Sequence, residues 1–273
     1  MKSFHRRTAR PAPFPGTTVA PVRHRAGVRL DMLLVEQGLA ASRTTARRMI
    51  EAGRVSHDGE VLSKAAQEFP ADTRLDVQSD ESDRYVSRGA LKLAGAVAAA
   101  GISVQGAVCL DVGQSTGGFT DYLLQAGAAR VMGLEVGHGQ LHERLRADQR
   151  VYCVEGINCR DLQPEDLGRH MPEEGFDLIV ADLSFISLTL VLPQLPALLS
   201  KSGNMLLLVK PQFEVGPEGL AKGGIVRDPA LYGEVETKIR DCCAELKLKV
   251  QGWFDSPITG SDGNREFFIW IQQ

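Results

Sequence analysis

The run Cys109-Leu-Asp-Val-Gly-Gln-Ser-Thr-Gly-Gly-Phe-Thr-Asp121 constrains the fold more than any other segment of the chain. It sets an apolar strand ending in a carboxylate, then a turn of small residues, then the start of a helix. In an open α/β sheet this brings backbone N–H groups to the carboxyl edge, where doubly wound folds bind nucleotides. The surroundings agree: Ala90 to Ala100 predicts a helix, Ala107 to Val112 a strand and Phe119 to Ala126 a second helix. Further strands are predicted at Val131 to Val136, Val151 to Val154, Leu178 to Asp182, Met205 to Lys210, Val250 to Phe254 and Phe267 to Ile271. Strand and helix in alternation is the rhythm of a doubly wound, Rossmann-like, mostly parallel sheet.

The glycine spacing narrows the ligand. A dinucleotide fingerprint counted from Gly113 falls on Gly113, Ser115 and Gly118, so the glycine needed beside a pyrophosphate is missing, and there is no phosphate-binding G-x-x-x-x-G-K-[ST] run. Asp111 beside the turn repels phosphates but suits a ligand carrying an amine and a sulfonium, which is S-adenosylmethionine. Glu135 ends the next strand, roughly 20 residues on, where a carboxylate can take both ribose hydroxyls. Asn158 and Asp182 follow the third and fourth strands and complete the expected rim, although either is also a plain cap or turn residue. The expected cofactor set is therefore Asp111, Gly113, Gln114, Ser115, Gly117, Gly118, Glu135, Val136, Asn158 and Asp182.

Ahead of this domain the pattern changes. Leu30, Leu33 and Leu34 share a helical face that Gly38 closes, and Ser42 is a good N-cap for a second helix ended by Gly53. Arg43, Arg47 and Arg48 lie on or beside one stripe of that second helix. Short strands are predicted at Arg54 to Ser56, Glu60 to Leu62 and Thr73 to Val77, with Asp58-Gly59 as a tight turn. The motifs R-L-D-x-L-L-V-x-x-G-L and S-R-x-x-A-R-x-x-I-x-x-G-R-V, followed by D-G, resemble the alpha-L RNA-binding module, a small α+β domain whose second helix and hairpin meet structured RNA. The polar, acidic run Gln78 to Asp83 reads as a linker. The expected organisation is a basic arm over 1–28, an alpha-L domain over 29–80 and the α/β domain over 81–273.

Net charge is only −3, so any RNA-binding surface has to be local. From Met1 to Arg29 every Asp, Glu, Lys or Arg position is basic, and four prolines interrupt the segment, which predicts a disordered arm rather than the amphipathic helix of a transit peptide. No apolar run reaches the length of a membrane helix; the candidate from Leu183 to Leu199 is broken by Pro193 and Pro196. The expectation is a cytoplasmic protein with no membrane partner. Cys109, Cys153, Cys159, Cys242 and Cys243 form no C-x-x-C pair and read as reduced thiols. His138 and His142 share a helical spacing but lack the glutamate of a zincin motif, so no metal is expected.

Parallel-sheet topology brings four more residues to one edge: Lys92 from the first helix of the α/β domain, Asp182 and Lys210 from strand ends, and Glu266 entering the last strand. Lys210 follows Met205-Leu-Leu-Leu-Val209 and precedes Pro211, so its stem starts beside apolar surface and it is a candidate to orient or deprotonate a hydroxyl.

Six motifs in order carry a more specific resemblance: V-S-R-G-A-L-K-L, L-D-V-G-x-S-T-G-G-F-T-D, F-D-L-I-V-A-D-L-S-F-I-S-L, L-L-L-V-K-P-Q-F-E, G-G-I-V-R-D and G-N-R-E-F-F-I-W. Together, from about Arg29 to Ile271, they resemble the TlyA family of rRNA 2'-O-methyltransferases, some of them called haemolysin-like, within the FtsJ-like group. The resemblance implies a Lys-Asp-Lys-Glu tetrad matching Lys92, Asp182, Lys210 and Glu266. It also implies S-adenosylmethionine as methyl donor, and cytidine ribose 2'-hydroxyls of rRNA in ribosomal subunits as substrate. RNA contacts are expected from Arg29, Arg43, Arg47, Arg48, Arg84 and Arg88. Arg84-Tyr85-Val86 resembles an interdomain segment that couples RNA docking to cofactor binding.

Two positions depart from the family pattern. Gln114 stands where a small residue, usually alanine, is expected, and Glu135 where aspartate is common, so the cofactor rim is expected to be shifted or weaker. Three rival readings remain beside the enzyme: a non-catalytic RNA-binding or ribosome-assembly factor on a degenerate methyltransferase fold, a membrane-lytic protein, and a dinucleotide oxidoreductase. The complete tetrad, the lack of an apolar span and the missing glycine argue against them in turn.

Overall fold

The computed structural model describes residues 27–40 and 42–273. Most of the basic arm thus lies outside the described residues. The chain divides between Asp80 and Glu81 into two compact units.

In the first unit, β1 (Val28–Arg29) leads into α1 (Leu30–Glu36), and α2 (Arg43–Glu51) follows. β2 (Val55–His57), β3 (Glu60–Val61), β4 (Glu68–Phe69) and β5 (Asp76–Val77) complete it. Leu30, Leu33 and Leu34 are buried against Ala46, Met49 and Ile50, so the helical periodicity read from the sequence is the packing face. Ser42 Oγ accepts the Thr45 N–H at 3.2 Å, the expected cap. Asp58 and Gly59 both have positive φ, 48° and 84°, which the tight turn between β2 and β3 requires. The antiparallel β1–β4 pair was not predicted; two-residue strands carry too little alternation to register.

The second unit is built on a seven-stranded sheet. Its elements are α3 (Gly89–Ala100), β6 (Val108–Val112), α4 (Gly118–Gln125), β7 (Arg130–Glu135), α5 (Glu143–Arg146), β8 (Val151–Glu155), β9 (Phe176–Ala181), β10 (Leu199–Val209), α6 (Ala230–Glu245), β11 (Lys249–Asp255) and β12 (Phe267–Gln272). The strand order is β11-β12-β10-β9-β6-β7-β8, with β12 antiparallel to both neighbours and the rest parallel. Because side chains alternate along a strand, each strand feeds two cores. Cys109, Val131, Leu178, Val180, Leu206 and Phe268 pack with α3 and α4 on one face. Leu110, Val112, Met132, Leu134, Ile179, Leu207 and Ile269 pack on the other with Val235, Ile239 and Cys243 of α6.

The apolar run from Leu183 to Leu199 resolves into three short 3₁₀ turns, Leu188–Leu190, Leu192–Gln194 and Pro196–Leu198, before β10 begins at Leu199. The prolines deny it a continuous helix, and Val191, Leu192, Leu195 and Leu198 instead cover the sheet as fully buried side chains. Among the described residues no helix is long and apolar enough to cross a membrane.

Strand order reverses at β6, whose neighbours are β7 and β9, and in open α/β sheets such a switch point is where ligands bind at the carboxyl edge. Gly113, at φ 84°, turns the chain at this point: a Cβ would lie 2.7 Å from the Asp182 carbonyl oxygen, so only glycine lets the turn pass this close to the end of β9. Gly117, at φ 93°, faces Leu141 and Leu145 with equally little room.

Candidate active site

Lys92, Asp182, Lys210 and Glu266 converge although they come from four different elements and span about 170 positions of chain. Lys92 Nζ is 2.7 Å from Glu266 Oε2 and 3.9 Å from Asp182 Oδ2, and Lys210 Nζ is 2.6 Å from Asp182 Oδ1. The charges alternate along the line Glu266, Lys92, Asp182, Lys210. Glu266 is 2% exposed and the two lysines 11%, while Asp182 at 23% opens to solvent. Burial pushes the Glu266 carboxyl up from its ordinary value, and the Lys92 ammonium beside it works in the opposite direction.

Sheet geometry explains the convergence. Asp182 and Lys210 directly follow the parallel strands β9 and β10, and Glu266 directly precedes the antiparallel β12, so all three emerge at one edge. Asn264 holds this last segment: its Oδ1 accepts the Val226 N–H at 2.9 Å and its Nδ2 donates to the Gly224 carbonyl and to Asp262. The motifs G-G-I-V-R-D and G-N-R-E are thus one locked unit.

Two residues beside the tetrad were missed by sequence reasoning. Lys210 Nζ donates to Ser184 Oγ at 2.9 Å. Phe185, next in the chain, is 91% exposed with a φ of 63°, and its ring centroid lies 5.2 Å from that of Phe213. A left-handed phenylalanine projecting into solvent is strained and costs burial, the combination found where a side chain is held for a ligand. Both residues sit inside the motif F-D-L-I-V-A-D-L-S-F-I-S-L, but the Ser184 bond to Lys210 and the Phe185 contact with Phe213 depend on the β9–β10 register.

At the Gly-rich turn, Asp111 is buried; its Oδ2 accepts Thr120 N–H at 3.0 Å and Thr120 Oγ1 at 2.7 Å, and its Oδ1 has no partner. Desolvation raises the Asp111 carboxyl to about 7, assisted by Asp182 and Glu135 and opposed by Thr120. Glu135 closes the turn, its Oε2 accepting Ser115 N–H and its Oε1 accepting Gly137 N–H, both at 2.8 Å. Ser115 is held at φ 48°, Gly118 begins α4, and Val136 next to Glu135 is 67% exposed, an apolar surface beside the rim. Gln114 does not stand on the rim as expected. Its side chain is folded under the turn against Gly133, where a Cβ would overlap it, and its Nε2 donates to Thr120 Oγ1 at 2.9 Å. Asn158 is a cap, its side-chain oxygen accepting Arg160 N–H.

The expected RNA contacts fall into two groups. In the first unit Arg29, Arg43 and Arg47 all meet the buried Asp31, while Arg48 donates to Thr45 Oγ1. These partners, Arg29 foremost, hold the Asp31 carboxyl far below the usual range. In the second unit Arg84 stacks 5.0 Å from the Tyr85 ring and bonds Gln125 of α4, and Arg88 donates to the Thr259 carbonyl. Val86 N–H donates to Asp121 Oδ2, also on α4, so the Arg84-Tyr85-Val86 segment rests on the helix that starts at the cofactor turn. A groove of about 990 Å³ beside α6 includes Thr189, Lys238 and Asp241 but no tetrad residue. Among the described residues no His, Cys, Asp and Glu side chains are grouped to hold a metal.

The model of the FtsJ-like methyltransferase family matches residues 85–273, and that of the S4 domain matches 28–74. The chain is 45% identical over 244 residues to the 16S/23S rRNA (cytidine-2'-O)-methyltransferase TlyA of Mycobacterium tuberculosis, covering 89% of each chain. It is 38% identical to Hemolysin A of Brachyspira hyodysenteriae, over 88% of this chain and 98% of that one. A solved Streptococcus thermophilus structure named for a hemolysin superposes with a TM-score of 0.71 at 38% identity, over 91% of this chain and 89% of that one. With two thirds of its length matched by one family model and full-length relatives well above 30% identity, the chain belongs to the FtsJ-like methyltransferase family, in its TlyA branch.

Proposed function

We propose that this protein transfers the methyl group of S-adenosylmethionine to cytidine ribose 2'-hydroxyls of rRNA within ribosomal subunits, in the cytoplasm. The observation that carries the reading is the alternating line Glu266, Lys92, Asp182, Lys210 at the carboxyl edge, one turn away from Gly113. The near relation to the Mycobacterium tuberculosis enzyme supports the substrate class.

The turn suits the cofactor. The unpartnered, buried Asp111 Oδ1 is an acceptor with nothing of the protein to satisfy it, and Gly113 and Gly117, both at positive φ, let the turn pass close against Asp182, Leu141 and Leu145. Glu135 stands at the ribose position with Val136 exposed beside it. Asp111, Gly113, Ser115, Gly117, Gly118, Glu135, Val136 and Asp182 form the binding surface, with Gln114 and Asn158 supporting it from below and from the side. When bound, the sulfonium supplies an electrophilic methyl.

The protein's own residues do the rest. Lys210 holds the 2'-oxygen in line: as the ammonium paired to Asp182 at 2.6 Å it orients the hydroxyl, and only after releasing a proton of its own to solvent can it take the hydroxyl's. Glu266 sets Lys92, and Lys92 in turn restrains Asp182 from the other side. Phe185, which follows the Ser184 that Lys210 bonds, offers a flat exposed apolar surface on which the target base can stack. The S4 unit over 29–80, with Arg29, Arg43, Arg47 and Arg48, grips the RNA backbone, and Arg84 and Arg88 extend the contact over the catalytic domain of 81–273.

The test is transfer of labelled methyl to purified ribosomal subunits lacking the modification, with wild type and Lys210→Ala compared. Incorporation at a ribose 2'-oxygen should fall by roughly 10² to 10⁴ in the variant, the range for losing a positioned proton-transfer group, with cofactor binding retained. Cofactor binding without any incorporation by the wild type would favour a non-catalytic RNA-binding factor.

A further inference from the structure

Asp31 has no solvent-exposed side-chain surface, yet it lies in the first turn of α1 of the RNA-binding unit rather than in a catalytic centre. A buried carboxylate is costly unless it is paired, and an apolar residue there would be cheaper for the core alone. Its partners are three cations from two elements. Arg29 Nε donates to Oδ1 at 3.1 Å, Arg43 Nη2 to Oδ2 at 3.0 Å and Arg47 Nε to Oδ2 at 3.1 Å. Arg43 and Arg47 are one turn apart on α2, so both face the same side.

One acid cannot neutralise three guanidiniums. Each guanidinium has five N–H donors, and Asp31 takes only one or two from any of them. The remaining donors lie on side chains that are 37% exposed for Arg29 and 51% for both Arg43 and Arg47. Glu68, opposite Arg29 on the β1–β4 pair, is the other acid that acts on the cluster, and the balance stays positive. A buried carboxylate needs a compensating cation, but three guanidiniums converging on one acid leave a surplus of positive charge that points to an anionic ligand beyond the needs of the fold.

We propose that Asp31 is the positioning residue of a phosphate clasp: its buried carboxylate fixes Arg29, Arg43 and Arg47 in one array that receives the phosphodiester backbone of structured RNA. The proposal rests on the rRNA reading above for its ligand. It goes beyond that reading by assigning the acid, which no phosphate can touch favourably, a part in binding. Arginine forks match phosphate oxygens in pairs, and holding them in advance removes the ordering cost from the binding step.

The experiment uses the full chain as wild type, Asp31→Asn and the double variant Arg43→Lys, Arg47→Lys. Each is titrated against a defined RNA stem-loop and against purified ribosomal subunits over a range of salt, and methyl transfer is followed in parallel. The clasp predicts that Asp31→Asn binds both RNAs roughly tenfold more weakly, the equivalent of one charge-assisted hydrogen bond, with KM for subunits raised and kcat unchanged. The double variant keeps every charge but loses the forks, and is expected to weaken binding similarly. If Asp31 only offsets charge, its neutralisation tightens binding; that result, or unchanged binding by folded Asp31→Asn or by the lysine variant, overturns the proposal. Should Asp31→Asn fail to fold, the lysine variant decides alone. Wild-type protein that binds both RNAs but methylates nothing refutes the methyltransferase reading and leaves the clasp standing, whereas methylation unaffected by either variant does the reverse.

Discussion

Lys92 Nζ and Glu266 Oε2 meet at 2.7 Å with the carboxylate 2% exposed, so the ionised state of Glu266 leans chiefly on this neighbouring ammonium, with Lys210 acting the same way from farther off. Burial already raises this carboxyl, and Lys92 opposes that rise by both hydrogen bonding and charge. Replacing Lys92 by methionine therefore moves the Glu266 carboxyl further up. The acidic limb of the kcat/KM profile for methyl transfer is expected to shift to higher pH in Lys92→Met. An unshifted limb would mean that Glu266 is not the group titrating there.

Asp111 gives a stability signature of its own. Its carboxyl is raised to about 7, so between the ordinary carboxylate value and about pH 7 the folded protein binds more protons at this site than the unfolded chain. Stability contributed by the protonated acid is complete below the ordinary value and is lost as pH rises toward 7. Denaturant midpoints of wild type should thus fall over that window by more than those of Asp111→Asn. Calorimetry of cofactor binding near pH 6.5 in buffers of different ionisation enthalpy should also show proton release in wild type, absent from the variant, because a cationic ligand favours the ionised form.

Phe185 is nearly free of protein contacts apart from Phe213, so its loss should leave the fold alone. Phe185→Ala is expected to change thermal stability within about 0.5 kcal/mol while lowering methyl transfer to subunits by roughly tenfold, as for one stacked base. Loss of stability in step with activity would assign the ring a structural part instead.

Arg84 and Tyr85 touch α4 through Gln125 and Tyr122, and α4 begins at Gly118 of the cofactor turn. Replacing both by alanine should weaken S-adenosylmethionine binding several-fold without altering any residue at the turn. Isothermal titration of the full chain measures this directly, and equal affinities would detach the segment from the cofactor site.

Much of this protein is determined locally and is therefore legible in its sequence. The helix face of Leu30, Leu33 and Leu34, the Ser42 cap, the Asp58-Gly59 turn and the strand-turn-helix around Gly113 each follow from residues within a few positions of one another, where backbone sterics and side-chain periodicity act. The identities of Lys92, Asp182, Lys210 and Glu266 were also readable, since strand ends of an α/β sheet share one edge. Tertiary structure alone decided what these side chains meet: the order of charges through the tetrad, the Ser184 bond to Lys210, the exposed Phe185, the inward fold of Gln114 and the capture of three arginines by Asp31. Those contacts depend on strand register and on which buried acceptor is left unsatisfied, and both are settled by chain segments far apart in sequence competing for the same space.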